Sequence, residues 1–173
     1  VNAIIQEGAD STVALGHNTE ASANATNSVV IGKDSQVTGQ SSIAIGNGAQ
    51  ALGNQSISIG TGNIVNGDNS GAFGDPSIIN GDNSYSVGNN NTINSNDTFV
   101  LGNNVTSTVG GSVVLGTGSA ARTGAGVVGY LAAGNAAITA TTSTTGAVAV
   151  GDATNGIYRQ VTGVAAEIGR AHV

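Results

Sequence analysis

The chain has 173 residues, a net charge of −6, 39% hydrophobic and 8% charged residues, 28 glycines, two phenylalanines, three tyrosines and no cysteine, methionine or tryptophan. The apolar share is too high for a disordered segment, and the basic residues, Lys33, Arg122, Arg159 and Arg170, are too scattered to neutralise phosphates or build a basic membrane-binding face. No run of about 18 apolar residues exists to cross a bilayer as a helix, and the fold must close without disulfides.

From Val13 onward an apolar residue, a small residue and a second apolar residue precede a glycine, in eight successive blocks. The blocks end at Gly16, Gly32, Gly46, Gly60, Gly74, Gly88, Gly102 and Gly116; the first interval is 16 residues and the other six are 14. A fixed short period predicts stacked coils. It also argues against an enzyme, because residues placed for stacking leave few free for chemistry.

Four positions before each glycine stands a hydroxyl: Thr12, Ser28, Ser42, Ser56, Ser70, Ser84, Thr98 and Ser112. The positions three and one before it are large and apolar throughout, except at Gly71. Two residues apart on a strand, these columns share a face, and that face is expected to be the core. The column between them is Ala14, Val30, Ala44, Ser58, Ala72, Ser86, Val100 and Val114, small and uncharged throughout. It is expected to point outward. A strand apolar on both faces is covered on both, so this column is expected to form a subunit interface.

Five residues past the glycine a weaker apolar column runs through Ala21, Val37, Ala51, Val65, Ile79, Ile93, Ser107 and Ala121. Its neighbours are polar, which predicts a second strand with one face inward and one face wet. Turns such as Asn66-Gly67-Asp68 and Asn80-Gly81-Asp82 follow. Each unit thus reads strand, turn, strand, turn, and eight coils would make a rod on the order of 40 Å long. Successive antiparallel hairpins are the competing arrangement, but only parallel stacking requires one residue type per column.

Residues 1–116 therefore read as a parallel β-roll. Residues 117–146, rich in Gly, Ala and Thr, hold too few large apolar residues for a core and read as an insertion that loops out or drapes over its neighbours. Val148-Ala149-Val150-Gly151 then resumes the pattern 35 residues after Gly116. Residues 147–166 read as a segment crossing between partners, because Arg159 and Gln160 are bracketed by apolar residues. Residues 167–173 fit nothing upstream and read as a cloning-derived tail.

Asn27-Ser28-Val29-Val30-Ile31-Gly32, Ser42-Ile43-Ala44-Ile45-Gly46 and Ser56-Ile57-Ser58-Ile59-Gly60, spaced by 14, resemble the head repeat of YadA-like trimeric autotransporter adhesins. The stretch from Ala147 to Ala166, with Arg159-Gln160-Val161-Thr162-Gly163-Val164-Ala165-Ala166, looks like the neck that follows such heads, and this resemblance implies an inter-subunit hydrogen bond or ion pair for Arg159, with Asp152 as its expected partner. The resemblance covers roughly residues 10–116 and 147–166. It implies a left-handed parallel β-roll, a homotrimer around one axis, display on the outer membrane of a Gram-negative bacterium, and adhesion to host extracellular matrix or abiotic surfaces. Membrane contact would run only through an anchor outside this sequence.

Other motifs carry less. Gly124-Ala125-Gly126-Val127-Val128-Gly129 fits a dinucleotide fingerprint but lacks the flanking strand and helix that motif needs. His17 and His172 lie far apart and there is no cysteine, so neither a zinc site nor a nucleophilic triad has candidates. Asp68, Asp75, Asp82 and Asp97 fall at irregular spacing in or near turns, where turn chemistry accounts for them better than calcium. The expected protein is a non-enzymatic adhesin head with no catalytic residue, metal or cofactor and no nucleic-acid partner. An ice-binding solenoid, which needs an outward threonine ladder, and a polysaccharide-active spike, which needs paired carboxylates in a groove, are the alternatives.

Overall fold

Fourteen residues close one coil: a three-residue strand, a corner, a strand of two or three residues and a second corner. The computed structural model describes residues 2–129 and 132–163. Residues 164–173, which include the end of the expected crossing segment and the expected tail, lie outside the described residues.

Stacked coils place the strands in two parallel sheets. Among the described residues the larger sheet has nine strands: Val13–Leu15, Val29–Ile31, Ile43–Ile45, Ile57–Ile59, Gly71–Phe73, Tyr85–Val87, Phe99–Leu101, Val113–Leu115 and Val148–Ala149. The smaller sheet has eight: Ala3–Ile5, Thr19–Ala21, Gln36–Val37, Gln50–Ala51, Ile64–Val65, Ser77–Ile79, Asn91–Ile93 and Thr106–Ser107. Consecutive coils pair in register, Val29 with Ile43, Ile43 with Ile57 and Ile57 with Gly71. The parallel reading is correct and the antiparallel hairpins are absent from the described residues. Ala3–Ile5 adds a strand to the smaller sheet before the first block.

The ninth block joins the roll where the spacing places it. Val148 pairs with Val113 and Ala149 with Val114, an offset of 35 residues. Between these strands the chain follows the coil as far as Ala121, which is buried in the core. It then forms a short exposed excursion that contains a helix, Ala136–Ala140, capped by the Asn135 side chain.

The core is one residue deep on each side, and it corrects the expected orientation of the larger sheet. Val30, Ala44, Ser58, Ala72, Ser86, Val100 and Val114 are fully buried, and Ala14 is half-buried against the same cluster. They share the interior with Val37, Ala51, Val65, Ile79 and Ile93 of the smaller sheet. The small column is therefore the core. The large columns beside it point outward. The physical reason is width: a 14-residue coil holds its sheets too close for an isoleucine on both inner faces, so the smaller set turns in.

The hydroxyl column shares parity with the small column and is buried with it. Ser42 Oγ donates to the Gly53 carbonyl at 2.8 Å and accepts from Ser56 N–H at 3.1 Å. Ser70 Oγ donates to the Gly81 carbonyl at 2.8 Å and accepts from Ser84 N–H at 3.0 Å. These two serines thus tie one corner to the corner of the next coil. The glycine that ends each block is required by close approach. Gly46 has φ +142°, and a Cβ there would strike the carbonyl of Gly60.

Replacing Ser70 by alanine leaves Gly81 C=O and Ser84 N–H without these partners inside the roll. We expect Ser70→Ala to cost about 1–3 kcal/mol, read as a lower midpoint in thermal or denaturant unfolding. The outward Thr92→Ala change on the smaller sheet is expected to leave the midpoint nearly unchanged.

Candidate functional site

With the small residues turned in, the larger sheet presents two columns of bulky apolar side chains to its outside. They are Val13, Val29, Ile43, Ile57, Tyr85, Phe99, Val113 and Val148 in one, and Leu15, Ile31, Ile45, Ile59, Phe73, Val87, Leu101 and Leu115 in the other. All are half-buried or exposed, reaching 63% exposure at Leu15, 49% at Leu101 and 67% at Val148. No charged residue interrupts either column. This continuous apolar face is the main candidate site. The residues expected to form the interface, Ala14, Val30, Ala44, Ser58, Ala72, Ser86, Val100 and Val114, lie behind it in the wall of the core. The missed signal was parity: the hydroxyls sit two residues before the small column, so both face the same way.

The rest of the roll's surface is mostly polar and carries ladders, with Ile4 and Ile78 each 40% exposed on the outer face of the smaller sheet. Asp68 Oδ1 accepts from Asn54 N–H at 2.7 Å, and Asp82 Oδ1 accepts from Asp68 N–H at 2.9 Å. Asn66 donates to Asn80 at 2.7 Å, and Asn80 to Asn94 at 2.6 Å. The aspartates thus serve the corners, as turn chemistry required. Among the described residues no group of three or more His, Cys, Asp or Glu side chains is placed to hold a metal ion. The hydroxyl column is inside, so it presents no ladder to ice. Gly126 N–H is taken by the Ser143 carbonyl at 2.8 Å, inside the excursion rather than free for a phosphate.

The far end of the rod is closed by two arginines. Arg122 forks onto Asp152, Nε to Oδ1 at 2.8 Å and Nη2 to Oδ2 at 2.6 Å. Asp152 is buried, caps the short helical turn Ala153–Asn155 and accepts from Asn155 Nδ2 at 2.6 Å. The fork from Arg122 holds its carboxyl at about 2, below the usual 3.8, with burial opposing and Asn155 and Thr154 N–H assisting. Arg159 does not meet Asp152. Its Nη1 donates to Ser119 Oγ and the Val150 carbonyl, each at 2.8 Å, and its Nη2 to the Thr117 carbonyl at 2.7 Å. Within one chain Asp152 and Arg159 thus belong to two separate anchors rather than to one pair. Arg122 was overlooked because it lies 30 residues from Asp152, in a stretch without pattern.

A 170 Å³ cleft beside this closure is lined by Asn104, Thr106, Ser119, Arg122, Asp152 and Asn155, among others. The arginine there is already neutralised, so the cleft offers hydrogen bonds rather than net charge. Among the described residues no helix is long and apolar enough to cross a membrane.

A family model described as the YadA head domain repeat matches residues 8–35, 23–49, 38–63 and 51–75. Over 34 residues the chain is 79% identical to the trimeric autotransporter adhesin AtaA of Acinetobacter sp. (strain Tol 5), a match that covers 20% of this chain and 1% of that relative.

The sign of the Asp152 shift sets a pH dependence. A folded-state value below the unfolded one contributes stability in full above about pH 4, and loses it as pH falls toward about 2. We expect the Arg122 Nε–H resonance to hold its bonded position down to pH 4 and to titrate below it. In Asp152→Asn that acid step disappears, and amide exchange of residues 119–122 and 150–157 quickens already at pH 6.

Proposed function

With YadA head domain repeats over residues 8–75 as the premise, we propose that this chain forms the rod-shaped head of a bacterial surface adhesin. Three copies join through the outer face of the larger sheet. The observation that carries this reading is the uncharged double column from Val13 to Val148. A soluble protein rarely leaves an apolar patch larger than a few hundred Å² in water. Two further copies of the same face cover it, and the relative described as trimeric supports the number three.

Burying the apolar face leaves the polar faces to meet a target. Glu20, Gln36, Gln50, Thr92 and Thr106 project from the smaller sheet together with Ile4, Ile64 and Ile78, and asparagines and aspartates line the corners. These groups recur along each rod and again on three copies. Weak contacts repeated in this way add through avidity, without a deep pocket. The target we propose is a host extracellular matrix protein or an abiotic surface, bound without catalysis or cofactor. The segment from residue 147 onward serves as the neck that leads out of the rod, held by Asp152 and Arg159. The head stands at the bacterial cell surface, on an outer-membrane anchor outside this sequence.

Sedimentation measures the assembly directly. We expect the native chain to run at three times its 16.7 kDa mass. Ile45→Lys with Leu101→Lys should give folded single chains, because burying the ammonium groups costs several kcal/mol. Ala44→Lys should instead abolish the fold, since Ala44 is in the core. Binding to immobilised matrix proteins and to polystyrene should fall at least about ten-fold in the single-chain variant. A native protein that sediments as one chain at micromolar concentration contradicts the reading.

A further inference from the structure

A face that repeats every coil looks the same after a slip of one coil, about 4.8 Å. Copies joined only by aliphatic columns would lose one coil of overlap and little else. Register between uniform surfaces is weakly specified. A closed ring of three nevertheless requires every copy at one height. Something non-repeating must therefore mark the height.

This chain has one such mark on its apolar face. Gly71 is the single gap in the outward column. The Tyr85 ring lies across it, with Cδ1 and Cε1 at 2.8 and 2.9 Å from where a Cβ on Gly71 would sit; Phe73 Cε2 is 3.4 Å from that point. Gly71 is buried beneath these rings. Phe99, 41% exposed, is the neighbour of Tyr85 in the next coil. All other positions of the two columns are Val, Ile or Leu. The aromatics are thus confined to three consecutive coils, Gly71–Phe73, Tyr85–Val87 and Phe99–Leu101.

We propose that the aromatic plate of Phe73, Tyr85 and Phe99, with the first two rings over Gly71, sets the axial register in which copies of this chain associate. It rests on the trimeric reading above. In register, plate meets plate. One coil out of register, Tyr85 of one copy is displaced toward the Phe99 or Gly71 level of another, and flat rings meet aliphatic columns of different height. Gly71 is needed because the plate must lie low. Its φ is outside the left-handed range, so the backbone accepts a side chain there, and only the Tyr85 ring stands in the way.

The absence of cysteine makes register measurable by cross-linking. Chains carrying Ile31→Cys and chains carrying Ile59→Cys are co-expressed and oxidised. These positions lie two coils apart, about 10 Å along the rod, beyond the roughly 7 Å a disulfide spans. In-register trimers give only 31–31 and 59–59 bonds; a slip of two coils brings 31 level with 59, and a slip of one coil in the same direction leaves them about 5 Å apart along the rod, within disulfide reach, so slipped trimers give mixed bonds. The flattened variant carries Gly71→Val, Phe73→Ile, Tyr85→Val and Phe99→Val, each a residue already present elsewhere in its column. We expect it to remain a folded trimer and to raise the mixed fraction about ten-fold over a native background near zero. A flattened trimer with no more mixed bonds than native overturns the proposal. So does a flattened variant that falls to single chains, which makes the rings adhesive rather than register-setting. Single chains in the native protein overturn the trimeric reading instead.

Discussion

The narrow space between two parallel sheets governs this molecule. A 14-residue coil closes around two small side chains from each wall, and the buried residues are valine, alanine, serine or isoleucine with single asparagines and threonines among them. Among the described residues no aromatic side chain and no leucine is buried there. Bulk that enters the sequence must therefore go outward, where it forms an apolar surface rather than a core. The interior and the outer apolar surface are two faces of the same three-residue strands, so a change in width would alter both.

A thin core contributes modest hydrophobic stabilisation, and the structure relies heavily on polar order. Backbone ladders run the length of both sheets. Buried hydroxyls close the inner corners, and Asn and Asp side chains accept backbone N–H groups at the outer ones. Every such contact joins one coil to the next, as in other quasi-one-dimensional folds. This explains how a chain with 8% charged residues holds its shape. It also explains why its surface is periodic, because a side chain used in a ladder is repeated at every rung. Periodic weak contacts suit attachment to extended targets.

An open stack of parallel strands has two unpaired edges. At the far end the chain leaves the roll, returns as Val148–Ala149 and is locked by two guanidinium groups on backbone carbonyls and a buried carboxylate. With four basic residues in the chain, two placed at this closure mark where charge-assisted hydrogen bonds matter most. Repetition stabilises the middle of the rod. Its end needs individual residues.

The period was open to inspection before any coordinates. The glycines at intervals of 14 specified parallel coils, the resumption at Val148 specified where the roll continues, and the second column from Ala21 to Ala121 lies inside as read. Which face of the larger sheet points inward was not open in the same way. Hydrophobicity ranks isoleucine above alanine for burial, and on that ground Ile43 and Ile45 belong inside and Ala44 outside. The tertiary structure reverses this, because the distance between the sheets is a property of the closed coil and not of any one strand. The same holds for Arg122 and Asp152, which the chain separates by 30 residues and only the returning coil brings together. Local spacing dictates the rung; the width of the rung, known only once it closes, decides what each side chain touches.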